Sequence, residues 1–251
     1  MKVVIIGGGP AGMLAAISSA QNGNDVTILE KMNCLGRKLL ITGKGRCNIT
    51  SSLPIDAFIK NIPGNGMFLF SCFTNFTNVD ILQLLKEEGV ETKVERGNRV
   101  FPVSDQSQDV LRALESRLRK LKVKIETNAK VENILTREAE NTDLGNNMKR
   151  IACGVKVSIN NKTQEIQADK IIIATGGKSY PGTGSTGDGY RLAQELGHTV
   201  TPIRPSLVPL TVSKENGLAY CQQMQGLSLR NVKIQIKDTE KNKVIYEDFG
   251  E

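Results

Sequence analysis

Three spacings of apolar residues divide this chain. Lys2-Val3-Val4-Ile5-Ile6 is a short, almost continuous apolar run, which predicts a strand buried on both faces of a parallel sheet. Glycine stops it, and Ala11 to Gln21 continues as a helix whose Ala15, Ala16 and Ala20 permit close packing on that sheet. Gly23 ends the helix, and Asp25-Val26-Thr27-Ile28-Leu29 is the next strand, with Glu30 at its carboxyl end. From Leu53 to Thr127 the spacing is mostly helical. Asn78 is the expected N-cap of a helix that carries Val79, Leu82 and Leu85 inward and ends at Gly89. Arg99-Val100-Phe101-Pro102-Val103-Ser104 interrupts with an X-Pro turn, and a second amphipathic helix follows with Val110, Leu111, Leu114, Leu118 and Leu121 on one face. Between Val123 and Asp169 the pattern alternates, which predicts a three-stranded meander with a hairpin turn at Asn160-Asn161. Lys170-Ile171-Ile172-Ile173 is a further apolar strand and Tyr190 to Leu196 a further helix, after which the chain to Glu251 again alternates as strands.

This order predicts an α/β protein: a Rossmann-like domain with a parallel sheet and a β-meander, then the start of a β-rich second domain. The boundaries read from the sequence are 1–204 and 205–251. The first turn carries the chemistry. Gly7, Gly9 and Gly12 fit G-x-G-x-x-G, and Glu30 follows 18 residues after Gly12. In a dinucleotide site Gly7 allows the tight turn, Gly9 lets the backbone approach a pyrophosphate, and Gly12 lets the helix lie close to the strand. The helix beginning near Pro10 and Ala11 then points its free N–H groups at the phosphates, and the Glu30 carboxylate accepts hydrogen bonds from an adenosine ribose. An acid at that point disfavours a 2′-phosphate.

Composition changes this picture little. The 251 residues are enough for a sizeable core, and the net charge of +7 suits anionic ligands without naming one. Five cysteines (Cys34, Cys47, Cys72, Cys153, Cys221) without a C-x-x-C argue for a reducing compartment and against a disulfide framework or a zinc site. With no apolar run of membrane-spanning length and an N-terminal strand too short for a signal peptide, a cytoplasmic protein is expected.

From Lys31 to Ser52 the chain is dense in glycine and basic residues and is neither a clean helix nor a clean strand. The amides of Gly43 and Gly45, with Arg37, Lys38 and Asn48, could line a phosphate or a flavin edge; a solvated basic loop is the alternative. Gly7-Gly8-Gly9-Pro10-Ala11-Gly12 together with Gly36-Arg37-Lys38 and Gly43-Lys44-Gly45-Arg46-Cys47-Asn48-Ile49-Thr50 closely resembles the BaiN/YhiN-like bacterial flavoproteins, a group of NAD(P)/FAD-dependent or aminoacetone-oxidase-family oxidoreductases. The resemblance implies extended FAD, with Glu30 and Lys31 at the end of the second strand and the loop from Arg37 through Thr42 to Asn48 beside the pyrophosphate and flavin. It further implies that main-chain atoms of Val131 meet the adenine ring. Ala174-Thr175-Gly176-Gly177 resembles the tight turn that follows a buried strand beside the cofactor in FAD-binding oxidoreductases. Asp188 reads on its residues alone as a capping acid, and the resemblance of Thr186-Gly187-Asp188-Gly189 to the family places it near the flavin.

Other residues carry weaker signals. For Phe58, Phe68, Phe70, Phe73 and Phe76 a plain apolar core is the expectation, with a wall over the flavin as the alternative. Arg99 lies in an Arg-Val-Phe-Pro segment that matches the family and is a candidate for substrate contact. His198, the only histidine, reads as structural or exposed rather than as a base. Family members continue past the point where this chain ends, so a C-terminally truncated form is expected. The implied function is an FAD-dependent oxidoreductase acting on a small organic substrate, with NAD(P)H as an electron donor and no catalytic residue assignable. The alternative is a dinucleotide-binding module without turnover of its own, associated with nucleic acid as in tRNA-modifying flavoproteins.

Overall fold

The computed structural model describes residues 1–139, 150–206, 218–227, 229, 232–238 and 240–250. In chain order the strands and helices are β1 (Lys2–Ile6), α1 (Pro10–Gln21), β2 (Asp25–Leu29), α2 (Arg37–Ile41), β3 (Thr50–Ser51), α3 (Ile55–Lys60), α4 (Phe70–Asn75), α5 (Asn78–Glu87), β4 (Thr92–Glu95), β5 (Arg99–Pro102), α6 (Ser107–Lys120), β6 (Lys124–Glu126), β7 (Ala129–Glu138), β8 (Arg150–Ile159), β9 (Lys162–Gln167), β10 (Lys170–Ile173), α7 (Asp188–Glu195), α8 (Leu218–Gln223), β11 (Val232–Asp238) and β12 (Lys243–Gly250). They fall into two units, Met1–Val200 and Thr201–Glu251.

The first unit is built on a parallel sheet of order β10-β1-β2-β6, in which Ile5 stands between Ile28 and Ile172. The apolar run in β1 works as its composition demands. Because successive side chains point to opposite faces, Val3 and Ile5 enter one core while Val4 and Ile6 enter another. The first core is roofed by α1, through Met13, Ala16 and Ile17, and by the buried stripe Val110, Leu111, Leu114 and Leu118 of α6. The second is covered by the antiparallel meander β7-β8-β9 and by Leu192 of α7. Asn160 and Asn161 turn the β8–β9 hairpin at φ 49° and 64°, as two-residue turns of this kind require. Both cores therefore converge on the carboxyl end of β1, where the glycine turn sits.

Several expectations need correction. The N-cap of α5 is Thr77, whose hydroxyl accepts from Val79 and Asp80 N–H while Asp80 reaches back to the Thr77 N–H; Asn78 instead donates to the Ser51 and Leu53 carbonyls. Val79 is consequently turned outward, 67 % exposed, and Leu84 and Leu85 are the buried pair. Arg99 to Pro102 forms a strand, not a turn: β5 runs between β3 and β4 with Val100 and Phe101 buried, and the turn follows where Asp105 N–H meets the Pro102 carbonyl. Of the five phenylalanines none is a core residue; Phe68, Phe70 and Phe76 are exposed, while Phe58 and Phe73 pack on each other with ring centroids 5.1 Å apart. Within Lys31–Ser52 the chain does take up structure, in α2, a tight turn at Thr42–Gly45 and β3. The helix expected from Tyr190 begins at Asp188.

The second unit contains the helix α8, which the alternating pattern did not announce, and the antiparallel hairpin β11–β12. Of the Ser206-Leu207-Val208-Pro209-Leu210 passage, residues 207–210 lie outside the described residues. No helix among the described residues is long and apolar enough to cross a membrane.

Candidate functional site

The site starts from the β1–α1 turn. Gly7 has φ 107°, and its N–H donates to the Leu29 carbonyl at 2.9 Å. A Cβ on Gly7 would meet the Ala174 carbonyl oxygen at 2.5 Å, and one on Gly12 would lie 1.9 Å from the Gly7 oxygen. These two glycines let β10, the turn and α1 close on one another. Gly9 differs: a Cβ there would meet nothing within 4 Å, because it faces an open cleft. Gly9 is also the N-cap of α1, with Pro10 in the first turn, so the Ala11 and Gly12 amides have no acceptor within the helix.

The cleft opens to solvent, with roughly 860 Å³ of space between its walls when the solvent at its mouth is counted. Its floor is the end of β1 and β10 (Ile6, Gly7, Ala174, Thr175, Gly176), and one side is Gly9, Pro10 and Ala11. The other side holds Leu29, Met32, Ala129, Val131 and Leu192, an apolar slot facing the polar turn.

Glu30 is fixed before any ligand arrives. Its Oε2 accepts from Gly8 N–H at 2.7 Å and its Oε1 from Met32 N–H at 2.8 Å. Each oxygen keeps a lone pair for a further donor. Lys31 points to the loop before α7, where its Nζ donates to Asp188 Oδ2 and to Thr186 Oγ1, both at 2.6 Å. Burial pushes the Asp188 carboxyl up, and the hydrogen bond and charge of Lys31, together with the Thr186 hydroxyl and the charge of Arg191, more than offset it, so the group titrates below its ordinary value. Lys38 Nζ donates to the Ser179 carbonyl at 2.9 Å, whereas Arg37 has no polar partner among the described residues and stands on the cleft wall as a free cation.

The expected site residues thus divide. Gly7, Gly9, Pro10, Ala11, Glu30, Lys31, Arg37, Lys38, Val131, Thr175, Gly176 and Asp188 share the cleft wall. Gly12 lies behind it, and Gly177 and the turn with Thr42, Gly43, Gly45 and Asn48 are not on it. That turn is occupied elsewhere: Thr42 Oγ1 donates to the Leu39 carbonyl, and a Cβ on Gly43 would press on Asn48 N at 2.9 Å and the Phe101 ring at 3.0 Å. Beside it Arg46 lies over the Phe101 ring at 4.2 Å and pairs with Glu95 and Asp105, which Lys93 also bridges. Arg46 holds Glu95 below its ordinary value, and Lys93 with Arg46 does the same to Asp105, so this network reads as structural. Arg99, 5.8 Å from the same ring, donates to the Arg96 carbonyl and is not on the cleft wall. His198 is exposed. Among the lining residues that sequence reasoning missed are Met32 and Leu192, whose local sequence carries no motif; only their tertiary neighbours reveal them.

Comparison with known proteins gives the chain its relatives. It is 37 % identical over 85 % of its length, and 48 % of the relative's, to the 3-dehydro-bile acid delta(4,6)-reductase of Clostridium scindens. It is 30 % identical over 90 % of its length, and 52 % of the relative's, to the ribosomal RNA dihydrouridine synthase of Haemophilus influenzae. The chain therefore spans about half the length of these curated relatives. Among solved structures, the Sdh1 complex of Mycobacterium smegmatis in its apo form shares the fold at a TM-score of 0.55 and 19 % identity, over 77 % of this chain and 38 % of that one. Residues 1–247 match the family described as HI0933-like protein Rossmann domain, and the chain belongs to that family.

Proposed function

We propose that residues 1–204 bind FAD in the cleft and that the chain is the cofactor-holding part of an FAD-dependent oxidoreductase. The observation that carries this reading is the cradle itself. An uncrowded Gly9, free α1 amides, a pre-positioned Glu30 and the small turn Thr175-Gly176 open on one cleft with an apolar slot beside it. A pyrophosphate fits against Gly9, Pro10 and Ala11 with Arg37 as counter-charge, a ribose against Glu30, and an adenine between Val131 and the apolar wall. Lys31, Lys38 and Asp188 hold the rim, while Thr42, Gly43, Gly45, Asn48 and Gly177 serve from outside it by shaping the turns. FAD supplies the electron transfer when bound; this chain's residues bind, orient and exclude water.

The curated relatives support a direction for the chemistry. Both names denote adding hydrogen across carbon–carbon double bonds, in a bile acid and in a uridine base. We extend that class of reaction to this chain, with a small organic substrate and reduced nicotinamide as donor. The five free thiols fit a reducing, cytoplasmic setting. A second reading, contact with structured RNA, is favoured by the RNA-directed name of one relative and by the net charge of +7.

The test is the visible absorption spectrum of the purified protein and the identity of the small molecule that heat releases. A flavin spectrum with FAD in the supernatant is expected, bleaching on addition of NADH or NADPH. A colourless protein that also refuses added FAD would overturn the reading, and salt-dependent RNA binding without flavin would favour the second.

A further inference from the structure

Residues 175–186 cross the cleft and are held there by two side chains. β2 and β10 pair with β1 from opposite sides, all parallel, so a link between residues that follow β2 and residues that follow β10 passes over the carboxyl end of β1, where the glycine turn opens. Two such links exist. Lys31 Nζ donates to Thr186 Oγ1 and Asp188 Oδ2, and Lys38 Nζ donates to the Ser179 carbonyl at 2.9 Å and to its hydroxyl at 3.2 Å. Among the described residues no other hydrogen bond ties the segment to the β2 side. The Ala174 N–H still bonds the Ile6 carbonyl, but from there to Asp188 the main-chain hydrogen bonds are internal, such as Thr183 N–H to the Tyr180 carbonyl and Gly184 N–H to the Pro181 carbonyl. The latched conformation also carries strain. Tyr180 is held at φ 54° and ψ 67°, a region an aromatic residue rarely adopts, with a proline following it and its side chain exposed. Strain of this kind persists only where contacts impose it, and the Lys38 bond to Ser179 is the contact beside it. Gly176 at φ 71° and Gly187 at φ 87° bracket the segment, which gives it two points at which to swing.

We propose that residues 175–186 form a strap over the cleft, latched by Lys31 and Lys38, which lifts about Gly176 and Gly187 to let a dinucleotide in and out. The proposal rests on the FAD reading above. The latches join one side of the cleft to the other whatever the cleft holds, so their strength sets how often the strap opens. Loosening a latch therefore raises the rates of entry and exit by the same factor and leaves their ratio, the affinity, almost unchanged. A lysine that served only as counter-charge to the phosphates would behave differently: its loss slows entry and speeds exit.

Asp188→Asn, which keeps the Lys31 charge, and Lys38→Met test this in the full chain. Stopped-flow flavin fluorescence should show FAD association and dissociation both accelerated, by roughly three- to fivefold in Asp188→Asn, with the dissociation constant within about twofold of wild type. Faster dissociation with unchanged or slower association would overturn the proposal, because it would give these side chains to the cofactor directly, and so would two unchanged rates. A second readout needs no cofactor. Trypsin should cut the apoprotein after Lys178, inside the strap, faster in both variants than in wild type, while Arg117 in α6 stays uncut. Equal cutting at Lys178, or a matching rise at Arg117, would overturn the proposal. If the wild-type chain takes up no FAD, the cofactor reading fails and carries the strap's role with it; if it does and both variants match it in rates and cutting, only the strap fails.

Discussion

Two glycines three residues apart have opposite sensitivities. A methyl on Gly12 would collide with the Gly7 carbonyl oxygen at 1.9 Å, so Gly12→Ala must push α1 off the sheet. The expected cost is about 1–3 kcal/mol of stability in urea unfolding, only partly offset by alanine's better helix propensity. A methyl on Gly9 meets nothing, and its backbone at φ −77° suits alanine, so Gly9→Ala should leave unfolding within about 0.5 kcal/mol of wild type. It should nonetheless abolish FAD uptake, because the methyl occupies the space the pyrophosphate needs. Equal stability losses in the two variants would contradict this division. The Lys31–Asp188 pair makes a different statement. The Asp188 carboxyl titrates below its ordinary value in the folded chain, so its contribution is present above the unfolded value of roughly 3.9 and is lost as pH falls through the folded one. Asp188→Asn should therefore cost about 1 kcal/mol or less at neutral pH, the pair being partly solvated, and the difference from wild type should close under acid conditions. A difference that persists in acid would mean the carboxamide disturbs packing instead.

Elements were legible in the sequence where one local pattern decides them. β1, α1 and β2 follow from an apolar run, glycine turns and small residues alone, and α6 from its stripe; Leu118, fully buried in the α1-side core, should cost about 2–5 kcal/mol as Leu118→Ala while leaving FAD affinity intact, since it does not reach the cleft. A titration showing weakened FAD binding in the folded variant would contradict that separation of core from cleft. β5 could not be read in this way. Arg99 to Pro102 is four residues long and is a strand only because Thr50–Ser51 and Thr92–Glu95 hydrogen-bond to it from either side. The phase of α5 differs from the expected one for the same reason: Asn78 has a better use for its amide on Ser51 and Leu53 than at a cap, and those partners are 27 and 25 residues away. In the cleft the glycines and Glu30 announce themselves. Lys31 with Asp188, separated by 157 positions, and Gly184 beside Met32 exist as neighbours only after the sheet has formed.

At the scale of the whole molecule, ligand binding and the division into two units make one joint prediction. Every residue lining the cleft belongs to the unit Met1–Val200. A ligand that binds only the folded state stabilises it by RT ln(1 + [L]/Kd), about 2.7 kcal/mol at a hundredfold excess over Kd, and the gain appears in whatever opens together with the site. The hairpin β11–β12 has little of its own to resist opening: Ile234, Ile245 and Tyr246 are each more than half exposed, and two strands alone are marginal in water. Hydrogen exchange with and without FAD should therefore show added protection in β1, β2 and the amides following Gly9, with residues 232–238 and 243–250 exchanging quickly in both conditions. FAD-dependent protection in the hairpin as strong as that in β1 would show that the two units open as one, and the assignment of the cofactor to the first unit alone would then be wrong.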